Sequence, residues 1–432
     1  MYKITKWLHA WVSGAVFKLL LINSFTLYAQ ERQSLSLQEA FNLAEQQYPL
    51  TRQKDLLKQT EHLTLQNLNS NYRPQVTVNM QASYQSDVTK VSIPLPGIKI
   101  PGQPKDQYRA VAELSQMIYD GGLIRGQQDL QRLTTTVEEN KINVDLHELK
   151  TRINQLYFSI LYHDELLKQT SLASSDVQIG IDKVIPLVEN GVVLRSNLQL
   201  LQAQLLQIEQ RKIEISASRK GLIDALAQFL RQQLPETVQL QIPGVISSAD
   251  TSISRPEISL FNSQVLLLQG QEKLIKARNL PKANAFIQGG YGRPGLNMLS
   301  DEFKTFYTGG LRLTWPMSGL YNSRRDKKLI DISRLSVDLQ KETFLLNTRS
   351  QLQQQKAEIK KYEALLAADS QIIQLRNEIT LSAKVQLENA VITSNDYLLQ
   401  VNAEDAARQS MILHRLQLLQ AQATYAITSG KL

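Results

Sequence analysis

The chain has 432 residues, with 48 Lys and Arg against 40 Asp and Glu, 6% aromatic residues and no cysteine. The absence of cysteine excludes disulfides, zinc–thiolate centres, thiol nucleophiles and lipidation of an N-terminal cysteine. The formal charge of +8 falls to +5 once Lys3, Lys6 and Lys18 of the N-terminal segment are set aside. So mild an excess over so long a chain carries no nucleic-acid interface, which needs a clustered basic patch. The tightest cluster, Arg324, Arg325, Lys327 and Lys328, stands at a predicted helix start and fits a solvated face or contact with anionic lipid headgroups. Gln, Leu, Ala, Glu, Lys and Arg fill long stretches free of Pro and Gly, the profile of long helices rather than of a compact α/β enzyme.

Residues 1–29 carry two early lysines and an apolar run from Leu19 to Ala29, which predicts a secretory signal with the mature chain beginning at Gln30. The run is too short to serve as a bilayer-spanning anchor, and no later segment offers roughly 18 consecutive apolar residues. The rest divides into two copies of one plan. Val188-Glu-Asn-Gly-Val-Val parallels Leu387-Glu-Asn-Ala-Val-Ile; Arg73-Pro74-Gln75 parallels Leu280-Pro281-Lys282; Tyr119-Asp120-Gly121-Gly122 has a looser counterpart in Met317-Ser318-Gly319-Leu320. Residues 30–235 and 257–432 are therefore read as two repeats of helix, strand, loop, strand, long helix, turn and helix. Residues 236–256 form a connector between them.

Four short strands are expected, at about 75–87 and 106–119 in the first repeat and about 282–291 and 303–317 in the second. Val76, Val78, Met80, Ala82 and Tyr84 alternate with Gln75, Thr77, Asn79, Gln81 and Ser83, and the other three runs alternate in the same way. Such runs of about ten residues suit a membrane barrel with a wet interior, or a soluble sheet with one face on a core. Tyr84, Tyr108, Tyr291 and Tyr307 near one end, with Tyr119 and Trp315 near the other, resemble two aromatic girdles. The Pro/Gly-rich excursions Ile93–Pro104 and Gly292–Asn297 cannot continue a strand and favour the barrel, which carries its longer loops outside the cell.

Helical pattern runs from Gly122 to Glu189 and from Tyr321 to Glu388, each about 100 Å at 1.5 Å per residue. Leu149, Ile153, Leu156 and Ile160 keep helical spacing, as do Leu198, Leu201, Leu205, Ile208 and Ile215. Leu345, Leu352, Ile359, Leu366, Ile373, Thr380 and Leu387 fall on a seven-residue repeat, a seam that calls for a partner helix. Asn190-Gly191-Val192 and Asn389-Ala390-Val391 end the long helices, with Ser196 or Asn197 and then Ser394, Asn395 or Asp396 available to restart the chain. Four strands cannot close a membrane barrel, and open edges in hydrocarbon cost several kcal/mol per unpaired group, so a membrane sheet here demands more than one chain.

The duplicated order, the Tyr119-Asp-Gly-Gly122 turn and the Asn190-Gly191 tip resemble the TolC family of outer-membrane efflux proteins over the whole mature chain. That resemblance implies a mainly α fold, with long coiled-coil hairpins forming a periplasmic α-barrel. It implies a homotrimer whose chains, four strands each, share one 12-stranded outer-membrane barrel in contact with lipid. It further implies a periplasmic adaptor docked at the tips and, through it, an inner-membrane pump, the chain itself conducting passively as the exit of an efflux or type I secretion system. In the family a helix past the second tip carries two acidic residues three apart that narrow the pore; here Asp396 matches the first and Leu399 stands at the second. Asp396 is also placed to cap its helix.

No catalytic residue, cofactor site or metal site emerges. His62, His147, His163 and His414 lack a second ligand at metal spacing, and Gly289–Gly295 leads into a proline turn rather than a helix. A soluble periplasmic coiled-coil scaffold is the rival class; a periplasmic enzyme would need a convergent polar site that the sequence lacks.

Overall fold

A computed structural model describes residues 34–89, 104–244, 252–297 and 300–432. The expected signal peptide and most of the Ile93–Pro104 excursion lie outside the described residues. In chain order the elements are β1 (Ser34–Leu35), α1 (Leu37–Gln47), α2 (Pro49–Ser70), β2 (Gln75–Tyr84), β3 (Asp106–Tyr119), α3 (Leu123–Glu189) and α4 (Arg195–Leu230). Then follow β4 (Gln239–Leu240), α5 (Pro256–Arg278), β5 (Lys282–Arg293), β6 (Lys304–Thr314), α6 (Leu320–Glu388) and α7 (Ser394–Ser429).

The strands β2 and β6 are shorter than the alternation suggests. β2 stops at Tyr84, and β6 stops at Thr314 because Pro316 removes a ladder donor and a 3₁₀ turn, Met317–Gly319, leads into α6. At the equivalent corner of the first repeat the buried Asp120 carboxylate accepts from the Gly122 and Ile124 amides at 2.8 and 2.6 Å. It thereby satisfies donors that the first turn of α3 would leave unpaired.

The two repeats meet as two long antiparallel hairpins, α3 with α4 and α6 with α7, and α3 also packs on α7. The heptad seam on α6 faces inward: Leu352, Ile359 and Leu387 are buried and none of its members is exposed. On α4, Leu201, Ile208 and Ile215 are buried. A core at mid-length gathers α1, α3, α4, α7 and the small parallel pair β1–β4 around Tyr157 and Phe41. The Tyr157 hydroxyl lies 2.7 Å from both the Leu35 and Gln241 carbonyls, pinning α3 to that pair, and burial pushes its pKa up. The connector thus contains a strand: β4 pairs with β1 through Ser34↔Gln239 and Leu35↔Leu240. Two-residue strands leave no alternation to read. A second core, around Tyr397, Val177 and Leu201, ties the hairpins together near their tips.

A further apolar stripe is left without a partner among the described residues. Leu329, Ile332, Leu335, Leu339 and Leu346 on α6 are each more than half exposed, as is Leu375 further along. Single exposed leucines need no explanation, but a contiguous stripe at helical spacing does.

Candidate functional site

The far end of the molecule is one antiparallel sheet in the order β2-β3-β5-β6. The two repeats join at its centre, where Leu114 opposes Ile287 and Ala112 opposes Gly289. Reading across the register, Val78, Ala112, Gly289 and Tyr307 form one row of a single face, and Val76, Leu114, Ile287 and Gly309 the next. The central rows of this face are apolar and bare, with Met80 81% exposed, Tyr307 81% and Leu311 79%; Asp106 and Arg293, an ion pair at 3.5 Å, stand on the same face at the end away from the helices. A soluble sheet would bury such a face on its own helices. Neither face of β2 is covered, and among the described residues β2 and β6 are both edges with no strand beyond them.

Four of the six aromatic residues singled out in the sequence share this face. Tyr84 opposes Asp106; one row lower is Tyr108 opposite Ala82, then Tyr291 opposite Ala110, then Tyr307 opposite Gly289. They descend one row per strand, a diagonal across the sheet. Tyr108 and Tyr291 both stack on Phe303, at ring-centroid distances of 6.1 and 5.5 Å. At the other end, a bulge after Met117 sets Tyr119 opposite Ala283, and Trp315 donates from its indole to the Asn279 carbonyl at 3.1 Å.

The hairpin tips are two copies of one Schellman turn. Val192 N–H donates to Leu187 O and Gly191 N–H to Val188 O; Val391 N–H donates to Gln386 O and Ala390 N–H to Leu387 O. The side-chain amides of Asn190 and Asn389 reach back to Pro186 O and Val385 O, both at 2.8 Å. Gly191 has φ +71° and Ala390 φ +56°, so the second tip holds a non-glycine residue where glycine is favoured. Val192 and Val391 are exposed.

The restarts differ from expectation at both tips. Leu194, not Ser196 or Asn197, precedes α4, with no side-chain cap: the chain reaches helical geometry one turn before either hydroxyl or amide could act. At the second tip Thr393 is the cap, and Asp396 completes a capping box: the Thr393 hydroxyl donates to the carboxylate at 2.7 Å, the Thr393 amide donates to it at 3.1 Å, and Asp396 N–H donates to the hydroxyl at 3.2 Å. These bonds from Thr393 hold the Asp396 carboxyl below its ordinary range. Leu399, one turn on, is 58% exposed.

Sequence reasoning missed what locks the two tips together. Lys183 pairs with Glu388 at 3.3 Å, and Tyr397 packs its ring on Gly180, where an added Cβ would come within 3.0 Å of it. The signal was present: a glycine inside an otherwise unbroken helix marks a close approach. Among the described residues no group of three or more His, Asp and Glu could hold a metal ion, and no helix is long and apolar enough to cross a membrane.

No family model matches the chain, nor does any curated protein. Solved structures do. The outer-membrane channel OprN aligns over 91% of this chain and 90% of its own, with a TM-score of 0.66 at 12% identity. VceC, an outer membrane protein of Vibrio cholerae, aligns over 92% and 97% with a TM-score of 0.64 at 13% identity. The open state of the Neisseria gonorrhoeae MtrE outer membrane channel aligns over 91% and 89% with a TM-score of 0.63 at 14% identity. The chain therefore has the fold of these outer-membrane channels, the fold that the resemblance to the TolC family implies.

The unlike tips give a reciprocal test. Exchanging Ala390→Gly relieves a left-handed alanine and raises stability by up to about 1 kcal/mol, whereas Gly191→Ala lowers it by a similar amount. Thermal unfolding of both variants checks the pair; equal effects of the same sign contradict the reading.

Proposed function

We propose that the chain is a subunit of an outer-membrane exit channel that passively conducts solutes from the periplasm to the cell exterior. The observation that carries this reading is the four-stranded sheet whose apolar face is bare and whose two edges are unpaired. Water would exact a cost for the apolar face, and hydrocarbon would exact one for the edges. Both costs vanish when several copies close one barrel in a bilayer. Three copies supply twelve strands, within the range of known membrane barrels, and strand tilt turns the diagonal of tyrosines towards a level girdle at the headgroups. The exposed stripe on α6 meets a helix of the next copy in the same assembly. The chain puts its long hairpins on the periplasmic side.

At the far ends of those hairpins, Val192 and Val391 with Asn190, Gly191, Asn389 and Ala390 form the surface for a periplasmic adaptor, and through it an inner-membrane pump. Around the three-fold axis the Leu399 side chains make an apolar constriction, with Asp396 ringed beside it, so the closed entrance excludes water more than it selects charge.

Membrane extraction separates this reading from a soluble scaffold. The protein stays in the outer-membrane pellet through high salt and alkaline carbonate and leaves it only in detergent; release by carbonate contradicts the channel.

The tips are tested by function. Val192→Asp with Val391→Asp abolishes efflux-dependent tolerance of toxic solutes at unchanged oligomer level, and Leu399→Ser raises resting conductance in planar bilayers severalfold. Parental tolerance and conductance in these variants remove the tips and Leu399 from those roles.

A further inference from the structure

The face of the sheet opposite the apolar one carries an unequal charge. β2 gives it only uncharged polar residues; β3 adds Arg109 and Glu113, β5 adds Lys282, and β6 adds Lys304 and Arg312. The single acid is already engaged, because Arg312 holds Glu113 at 3.1 Å. Lys304 pairs at 2.9 Å with Glu302, which lies beyond the strand. Among the described residues no carboxylate lies in ion-pair contact with Arg109 or Lys282.

The two arginines are also held in place. Arg109 lies over the Phe306 ring at 5.0 Å and Arg312 over the Phe286 ring at 4.6 Å. Each ring occupies space left by a glycine across the strands. Phe306 opposes Gly290, where an added Cβ would stand 2.5 Å from the ring, and Phe286 opposes Gly310, where it would stand 3.3 Å away. A stacked guanidinium uses its flat face on the ring and keeps its N–H edge for a planar anion such as a carboxylate, sulfonate or phosphate. Charge and geometry thus agree on one sign of ligand.

In a closed membrane barrel the polar face is the lumen. We infer that the lumen of this barrel favours anionic solutes, with Arg109 near its outer end and Lys282 at its helix end as cations without an ion-pair partner among the described residues, and with Arg109 presented on Phe306. The inference rests on the channel reading. Low-dielectric walls focus the field of such charges into the passage. The Asp396 carboxylates do not offset it, because a helix of 67 residues separates them, about 100 Å and many Debye lengths away.

The chain has no cysteine, so a single introduced thiol reports the local potential. Gln81→Cys stands directly opposite Arg109 on the polar face, and Met80→Cys stands beside it on the apolar face. Outer membranes are treated with sulfonatoethyl methanethiosulfonate, an anion, or its trimethylammonioethyl analogue, a cation, and each rate on the assembled oligomer is divided by that for free 2-mercaptoethanol. The normalised anion-to-cation ratio for the Gln81→Cys variant comes to about ten, and adding Arg109→Gln lowers it towards one. Asn79→Cys, two residues along the same face, repeats the measurement if Gln81→Cys assembles poorly. A ratio of one or less at both positions overturns the inference while leaving the channel reading intact. Equal reaction of Met80→Cys and Gln81→Cys with both reagents means that the apolar face is wet, which overturns the barrel and the inference together.

Discussion

Everything in this molecule follows from the backbone of its four strands. Among the described residues β2 and β6 each present a row of amide and carbonyl groups with no partner, and one face between them is apolar or small across its central rows, from Val76 and Gly309 to Met80 and Tyr291. Such a sheet cannot sit in water without exposing the face or in lipid without stranding the edges, and the described residues of one chain offer no further strand to resolve the conflict. Closure with other copies, as proposed above, would satisfy both. The symmetry of such a closure would fix where each helical hairpin stands and which of its apolar stripes faces a neighbour.

The helical part answers the same constraint at a distance. Helices of 67 and 69 residues have no use in a compact core, but in the proposed channel they would carry a ring of hairpins from a membrane sheet down to a remote entrance. Two separate apolar seams on α6 are consistent with this: one is buried on α7 within the chain, and one is bare. The tips are built economically, each from a left-handed residue and a back-bonded asparagine, and are joined by the Lys183–Glu388 pair and by Tyr397 lying on Gly180. Their rigidity comes from backbone hydrogen bonds, which leaves Val192 and Val391 available to a partner.

Much of this was legible in the sequence because it is periodic. Alternation identified the apolar face of β2, β3, β5 and β6, a seven-residue spacing identified the seam of α6, and the duplicated Glu-Asn pair located both tips. What the sequence hid was local or non-local in the wrong way. The β1–β4 pair joins residues some two hundred positions apart through strands too short to have a period. Thr393 rather than a later residue caps α7, because the choice among adjacent Thr, Ser, Asn and Asp depends on where the turn releases the chain. The Arg–Phe stacks on the polar face were invisible to an alternation rule that counts phenylalanine as out of place there; the glycines opposite them are the clue.

The claim on which the account stands is that one barrel is shared among identical chains. Native mass measurement of the detergent-extracted protein tests it directly, because the detergent replaces lipid around the apolar face without supplying strands to the edges. The account predicts a single species of three chains that persists on dilution. A monodisperse, folded monomer would contradict it, since β2 and β6 would then survive in a micelle with their edges unpaired.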